Sequence, residues 1–93
     1  MKLYNTQHHP KGQQKQATFE IRDGKVYTTK YHPDGEYAEA WYVVEGQWIK
    51  PAPGHPQKAN PKCAWYEIRN NFVYSADFHP HGAQPLPFFE LKD

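Results

Sequence analysis

Phe19-Glu-Ile-Arg-Asp-Gly-Lys-Val-Tyr-Thr-Thr-Lys-Tyr-His-Pro-Asp-Gly35 lies without a gap over Tyr66-Glu-Ile-Arg-Asn-Asn-Phe-Val-Tyr-Ser-Ala-Asp-Phe-His-Pro-His-Gly82, at an offset of 47 residues. A period of this size is a signature of repeat architecture and takes precedence over local propensity. Halfway between the copies, Tyr42-Val-Val-Glu-Gly-Gln-Trp-Ile49 runs on to His55-Pro56, and His-Pro recurs at 9, 32, 55 and 79, spaced by 23, 23 and 24 residues. The unit is therefore half the longer offset. The chain ends complete the pattern, because Phe89-Glu-Leu-Lys-Asp93 matches Phe19-Glu-Ile-Arg-Asp23, and Leu3 to Gly12 matches Val26 to Gly35. One domain over 1–93 is expected, with pseudo-repeats 9–31, 32–54 and 55–78, and a fourth over 79–93 completed by 1–8.

Each unit reads as a β-hairpin. Asp23-Gly24, Glu45-Gly46 and Asn70-Asn71 are read as two-residue turns, where Gly and Asn accept positive φ at least cost, and each is flanked by β-rich runs. His32-Pro33-Asp34-Gly35 suits a type I turn, as do His9-Pro10-Lys11-Gly12 and His79-Pro80-His81-Gly82. Strands are expected at 2–7, 16–22, 25–31, 37–44, 47–50, 63–69, 72–78 and 87–92. The 9 prolines and 6 glycines leave no room for a helix-period stripe. The expected class is all-β: a small closed or nearly closed antiparallel barrel of about eight short strands, built from four hairpins, with the N-terminal strand paired to the C-terminal one. Closure removes sheet edges that so small a chain could not cover. The competing layout takes the two longer repeats as four-stranded units of a two-sheet sandwich or a blade-like oligomer. Pro51 to Lys62, with four prolines, reads as a semi-rigid strut between the halves.

Strand alternation divides the side chains into two sets. Phe19/Tyr42/Tyr66/Phe89, Ile21/Val44/Ile68/Leu91 and Leu3/Val26/Trp48/Val73 are apolar in every copy and are assigned to the core. The second set places Glu20, Val43, Glu67 and Glu90 opposite Tyr27, Ile49, Tyr74 and Tyr4. It reads either as ordinary cross-strand pairing on a wet face or as a ligand-binding face, rings stacking on sugars and carboxylates accepting from hydroxyls. Tyr4, Tyr27, Tyr74, Glu20, Glu67 and Glu90 are thus the candidate binding residues. An aromatic-rich β-unit repeated around a ring resembles lectin-like architectures in layout, with no motif behind the likeness.

Composition narrows the classes further. The 93 residues include 15 aromatics (5 Phe, 7 Tyr, 3 Trp) and carry a net charge of +1. By size scaling such a chain buries roughly 65% of its surface, so rings must supply much of the core. Near-neutrality removes the counterion-release contribution on which nucleic-acid binding relies, and nucleic acid is not an expected partner. Cys63 is the single cysteine and forms no internal disulfide. No apolar run marks a leader or a membrane span, so a cytoplasmic location and no membrane partner are expected. The 6 histidines raise a metal reading, centred on His79 and His81 if anywhere, but histidine at the head of an HPxG turn also hydrogen-bonds the local backbone. No metal and no cofactor is expected, and no motif of nucleophilic, zinc-hydrolytic or phosphate-binding type is present. The functional expectation is a noncatalytic binding module for a glycan, a small polar ligand or a protein partner; its rival is a small metal protein or enzyme built on the His-Pro loops. With so many rings, some of Trp41, Trp65, Phe72, Phe78 and Phe88 are expected to stay exposed and to drive homo-oligomer formation.

Overall fold

A computed structural model describes residues 1–57 and 60–93. Eight strands, β1 (Lys2–Asn5), β2 (Phe19–Arg22), β3 (Lys25–Thr28), β4 (Tyr42–Glu45), β5 (Trp48–Pro51), β6 (Tyr66–Arg69), β7 (Phe72–Ser75) and β8 (Phe89–Lys92), form one closed antiparallel barrel in sequence order. The ring is sealed by β1 against β8, with Lys2 opposite Lys92, Leu3 opposite Leu91, Tyr4 opposite Glu90 and Asn5 opposite Phe89. Neither the sandwich nor the blade forms, because every strand already has two neighbours.

Turn chemistry sets the register of each hairpin. Asp23 and Gly24 have φ of 52° and 74°, and Asn70 and Asn71 have 51° and 69°. Both pairs match the type I′ turn, whose twist suits the flanking strands. The second hairpin departs from the expected Glu45-Gly46 turn. There Glu45 pairs with Trp48, so the turn is Gly46-Gln47, and only Gly46 has positive φ, at 60°, as in a type II′ turn with glycine first. Setting Val43 opposite Ile49 and matching Trp48 to Val26 leaves three residues, 45–47, in the turn; with two, the pairing shifts by one residue and the face of β5 is inverted. Ile49 is therefore the core residue at 1% exposure, while Trp48, assigned to the core from sequence, is 39% exposed, and Lys50 rather than Ile49 stands opposite Val43.

Within a hairpin four residue pairs form, as in Phe19 to Arg22 against Thr28 to Lys25, but only two join one hairpin to the next, as in Lys25–Val43 and Val26–Tyr42. This stagger tilts the strands and closes the ring. It also makes the strands shorter than expected: β4 starts at Tyr42 rather than 37, the preceding residues belonging to a long connection. Four such connections gather at one end of the barrel, while the three tight turns and both termini lie at the other. The described part of the 51–62 segment is one of the four, since His55 N–H donates to Ala52 C=O at 3.0 Å as His32 N–H does to Thr29 C=O at 3.0 Å; residues 58 and 59 lie outside the described residues.

The interior is layered. Leu3, Val26, Ile49 and Val73 are buried, with Ile21, Val44, Ile68 and Leu91 packed against the cluster. Above them Phe19, Tyr42, Tyr66 and Phe89 form a ring of edge-to-face contacts, with successive centroids 5.9, 5.7, 5.7 and 5.6 Å apart. Each such contact adds about 0.5–1.5 kcal/mol to the burial of the rings. Trp41, Trp65 and Phe88 are not an exposed patch: they are 5%, 8% and 6% exposed. Their backbone N–H groups donate to Val26, Ile49 and Val73 C=O at 2.9 Å each, which turns each side chain in under its loop. Phe72 is half-buried, and Phe78, at 64%, is the one member of the expected patch that is largely exposed.

Candidate functional site: a cavity on the barrel axis

The four long connections each carry a His-Pro pair, which opens an HPxG turn at His9, His32 and His79 and is followed by Gln57 at His55. Proline has no N–H, so the first donor after it belongs to the residue two places beyond the histidine. That N–H donates to histidine Nδ1 in all four copies: Lys11 to His9 at 3.0 Å, Asp34 to His32 at 3.0 Å, Gln57 to His55 at 3.1 Å and His81 to His79 at 3.0 Å. A neutral imidazole whose Nδ1 accepts must carry its proton on Nε2. The turn thereby fixes the tautomer, and Nε2–H becomes the outward donor.

Each ring stands over one member of the aromatic floor. His9 meets Phe89 and His32 meets Phe19 at centroid distances of 5.1 Å, while His55 meets Tyr42 and His79 meets Tyr66 at 4.9 Å. Over the tyrosines, Nε2–H of His55 and of His79 donate to Tyr42 and Tyr66 hydroxyls at 3.1 and 3.0 Å. Trp41, Trp65 and Phe88 fill the spaces between imidazoles, with Trp41 4.6 Å from His32 and Trp65 4.7 Å from His55. Polar residues beneath the loops hold them in place: Asn5 Nδ2 donates to Gly12 C=O at 3.4 Å, Ser75 Oγ donates to Gly82 C=O at 2.8 Å, and Tyr37 N–H donates to Thr28 Oγ1 at 2.9 Å.

A cavity of about 300 Å³ results, bordered by all four histidines, the aromatic floor and the rim residues Lys11, Asp34, Gln57 and His81. Its imidazoles are neutral near pH 7. Burial, helped by Lys11, His32 and His81, lowers His9 to about 4, and burial, helped by His81 and His9, lowers His79 to about 4. His32 is lowered by burial and Lys11 against the opposing pull of Asp34, and His55 by burial alone. Burial likewise raises the Tyr42 and Tyr66 phenols. Among the described residues, Trp41 Nε1–H is buried without a partner.

The residues singled out from sequence lie elsewhere, on the outer wall. Glu20 opposes Tyr27, Glu67 opposes Tyr74 and Tyr4 opposes Glu90. Each pair is bridged by a basic residue: Arg22 lies 4.1 Å from the Tyr27 ring and 3.6 Å from Glu20, Arg69 lies 3.8 Å from Tyr74 and 3.5 Å from Glu67, and Lys92 lies 5.3 Å from Tyr4 and 3.6 Å from Glu90. Such exposed pairs contribute about 0.2–1 kcal/mol each. Tyr4, Tyr74 and Glu90 share an open groove with Phe72, Gln13 and Gln14, and Tyr4 and Glu20 share another. Tyr27 and Glu67 border neither, so the six do not converge.

The rings of His79 and His81 are stacked 5.3 Å apart at 29°, and among the described residues no three or more His, Cys, Asp or Glu side chains are grouped to hold a metal ion. Half-buried Cys63 is a free thiol. The axial cavity was signalled by His-Pro in every copy, but its walls were not, because burial of Trp41, Trp65 and Phe88 depends on how the long loops fold back. The chain matches no protein-family model, and comparisons with curated proteins and with solved structures found no match.

Proposed function

We propose that this barrel is a noncatalytic binding module that takes a small polar ligand in the axial cavity at its loop end. The observation that carries this reading is the convergence of four His-Pro loops on one cavity of about 300 Å³, at the lower end of small-molecule sites, with an aromatic floor and polar groups around its rim. A noncatalytic role is supported by the chemistry of the imidazoles. Their Nδ1 lone pairs are occupied by backbone N–H groups, which leaves Nε2–H as a donor rather than a base.

A second reading keeps the outer wall. Tyr4, Tyr74, Phe72 and Glu90 line one groove of about 1050 Å³, wide enough for a glycan or an extended partner. Self-association has its own support in the exposed Phe78, which lines a further groove with Trp48, and light scattering measures it directly. Amide chemical-shift mapping against a library of small polar compounds and oligosaccharides separates the binding sites. Shifts at His9, His32, His55 and His79 support the axial reading, and shifts confined to Tyr4, Tyr74 and Phe72 replace it with the second. Shifts at neither site overturn both.

A further inference from the structure

The four quadrants of the cavity differ chemically. Where the floor residue is tyrosine, the imidazole Nε2–H is used on its hydroxyl. In the quadrants of His9 and His32 the floor residues are Phe89 and Phe19, so the same turn-imposed tautomer presents an Nε2–H with no hydroxyl beneath it. Trp41 packs 4.6 Å from His32, so its indole signal reports on that quadrant. Lys11 borders the same cavity and acts electrostatically on both His9 and His32. The His9 and His32 Nε2–H groups border the cavity without a side-chain acceptor among the described residues, so they can donate to a guest there.

We propose that this half of the cavity binds a small organic anion, its carboxylate accepting from the His9 and His32 N–H groups while its apolar body lies against the aromatic lining. The inference rests on the axial binding reading above and adds the ligand's chemistry. An aromatic lining alone would also admit a cation. Here the fixed tautomers leave two imidazole N–H groups at the cavity as donors, and Lys11 stands at the rim, which favours negative charge. Binding is also coupled to protons. A carboxylate beside His9 and His32 stabilises their charged forms, with Asp34 acting in the same direction and Lys11 and His81 against it. Affinity therefore rises as pH falls from 7 toward 5.5, with proton uptake.

The test titrates the full chain with benzoate and with its neutral isostere benzamide, following the indole N–H resonances by NMR and the heat by calorimetry in buffers of different ionisation enthalpy. Expected are movement of the Trp41 indole signal, benzoate binding at least tenfold tighter than benzamide, a several-fold gain from pH 7 to 5.5, and a buffer-dependent heat. His32→Asn should weaken benzoate about tenfold. The asparagine keeps the turn, since Asn60 Oδ1 accepts from Lys62 N–H at 2.9 Å in the third loop. If a variant fails to fold, the benzoate-to-benzamide ratio on the unaltered protein still decides. Equal binding of the two compounds in the cavity overturns the anion assignment and leaves the binding module standing. No movement of loop-end signals with any small compound, oligosaccharides included, defeats both.

Discussion

Acidification should unfold this barrel through its four histidines before its carboxylates matter. His9, His32, His55 and His79 are all held below the ordinary imidazole value of 6.5. The unfolded chain therefore binds protons first as pH falls. Stability is fully present above about pH 6.5 and is lost progressively toward pH 4, the folded-state value of His9 and His79. Each imidazole contributes a slope of at most about 1.4 kcal/mol per pH unit. A fully shielded ring held at 4 would account for about 3 kcal/mol, and screening at the half-exposed His9 edge reduces that to about 1–2 kcal/mol. With mutual repulsion opposing a second charge in the cavity, the combined loss by pH 4.5 is about 3–5 kcal/mol, a large share of the 5–14 kcal/mol typical for a domain of this length. Urea unfolding followed by tryptophan fluorescence at pH 7.5, 6.5, 5.5 and 4.5 measures the loss, and imidazole NMR titration assigns it. An unchanged urea midpoint across this range, or His9 and His79 titrating near 6.5, would refute the argument. In His79→Asn, which keeps the turn acceptor and removes one titrating ring, the pH slope should flatten.

The slipped register of the second hairpin predicts opposite outcomes at neighbouring positions. Ile49→Ala removes a side chain that is 1% exposed and should cost about 2–4 kcal/mol, whereas Trp48→Ala, on the outer wall at 39% exposure, should cost under about 1 kcal/mol; thermal melts that reverse this order refute the Gly46-Gln47 turn. Deleting residues 1–5 removes the buried Leu3 and leaves β2 and β8 with bare edges, so the cooperative melting transition should vanish, and a truncated chain that melts like the intact one would show the ring is not needed.

The closed ring was legible because its signals are local and repeated. Asp23-Gly24 and Asn70-Asn71 name their turn type outright, and the match of Leu3 to Val26 and of Leu91 to Ile21 pairs the ends before any geometry is seen. Glu45-Gly46-Gln47 misled because matching Trp48 to Val26 makes the turn three residues long, whereas Gly46 with Gln47 closes it in two, and packing agrees: Ile49 buries aliphatic surface where Trp48 would overfill a layer otherwise made of Leu3, Val26 and Val73. The wall residues Glu20, Glu67 and Glu90 were correctly paired with Tyr27, Tyr74 and Tyr4. What escaped the sequence is that Arg22, Arg69 and Lys92 lie two residues along the same strands and fold back over those pairs. Histidine's part was legible as turn chemistry, while the cavity it encloses arises from long-range folding of the loops, for which no short pattern codes.

Pseudo-fourfold symmetry has a statistical consequence for anything held on the barrel axis. Four identical quadrants would offer an asymmetric guest four equivalent poses, favouring occupancy by about 0.8 kcal/mol through degeneracy alone while leaving its orientation undefined. This chain gives up that degeneracy by varying three positions per quadrant: phenylalanine or tyrosine in the floor, Thr18, Trp41, Trp65 and Phe88 beside it, and Lys11, Asp34, Gln57 and His81 on the rim. The β framework sets where a guest sits, and these substitutions set which way round it sits, so the two properties can be altered separately within one scaffold.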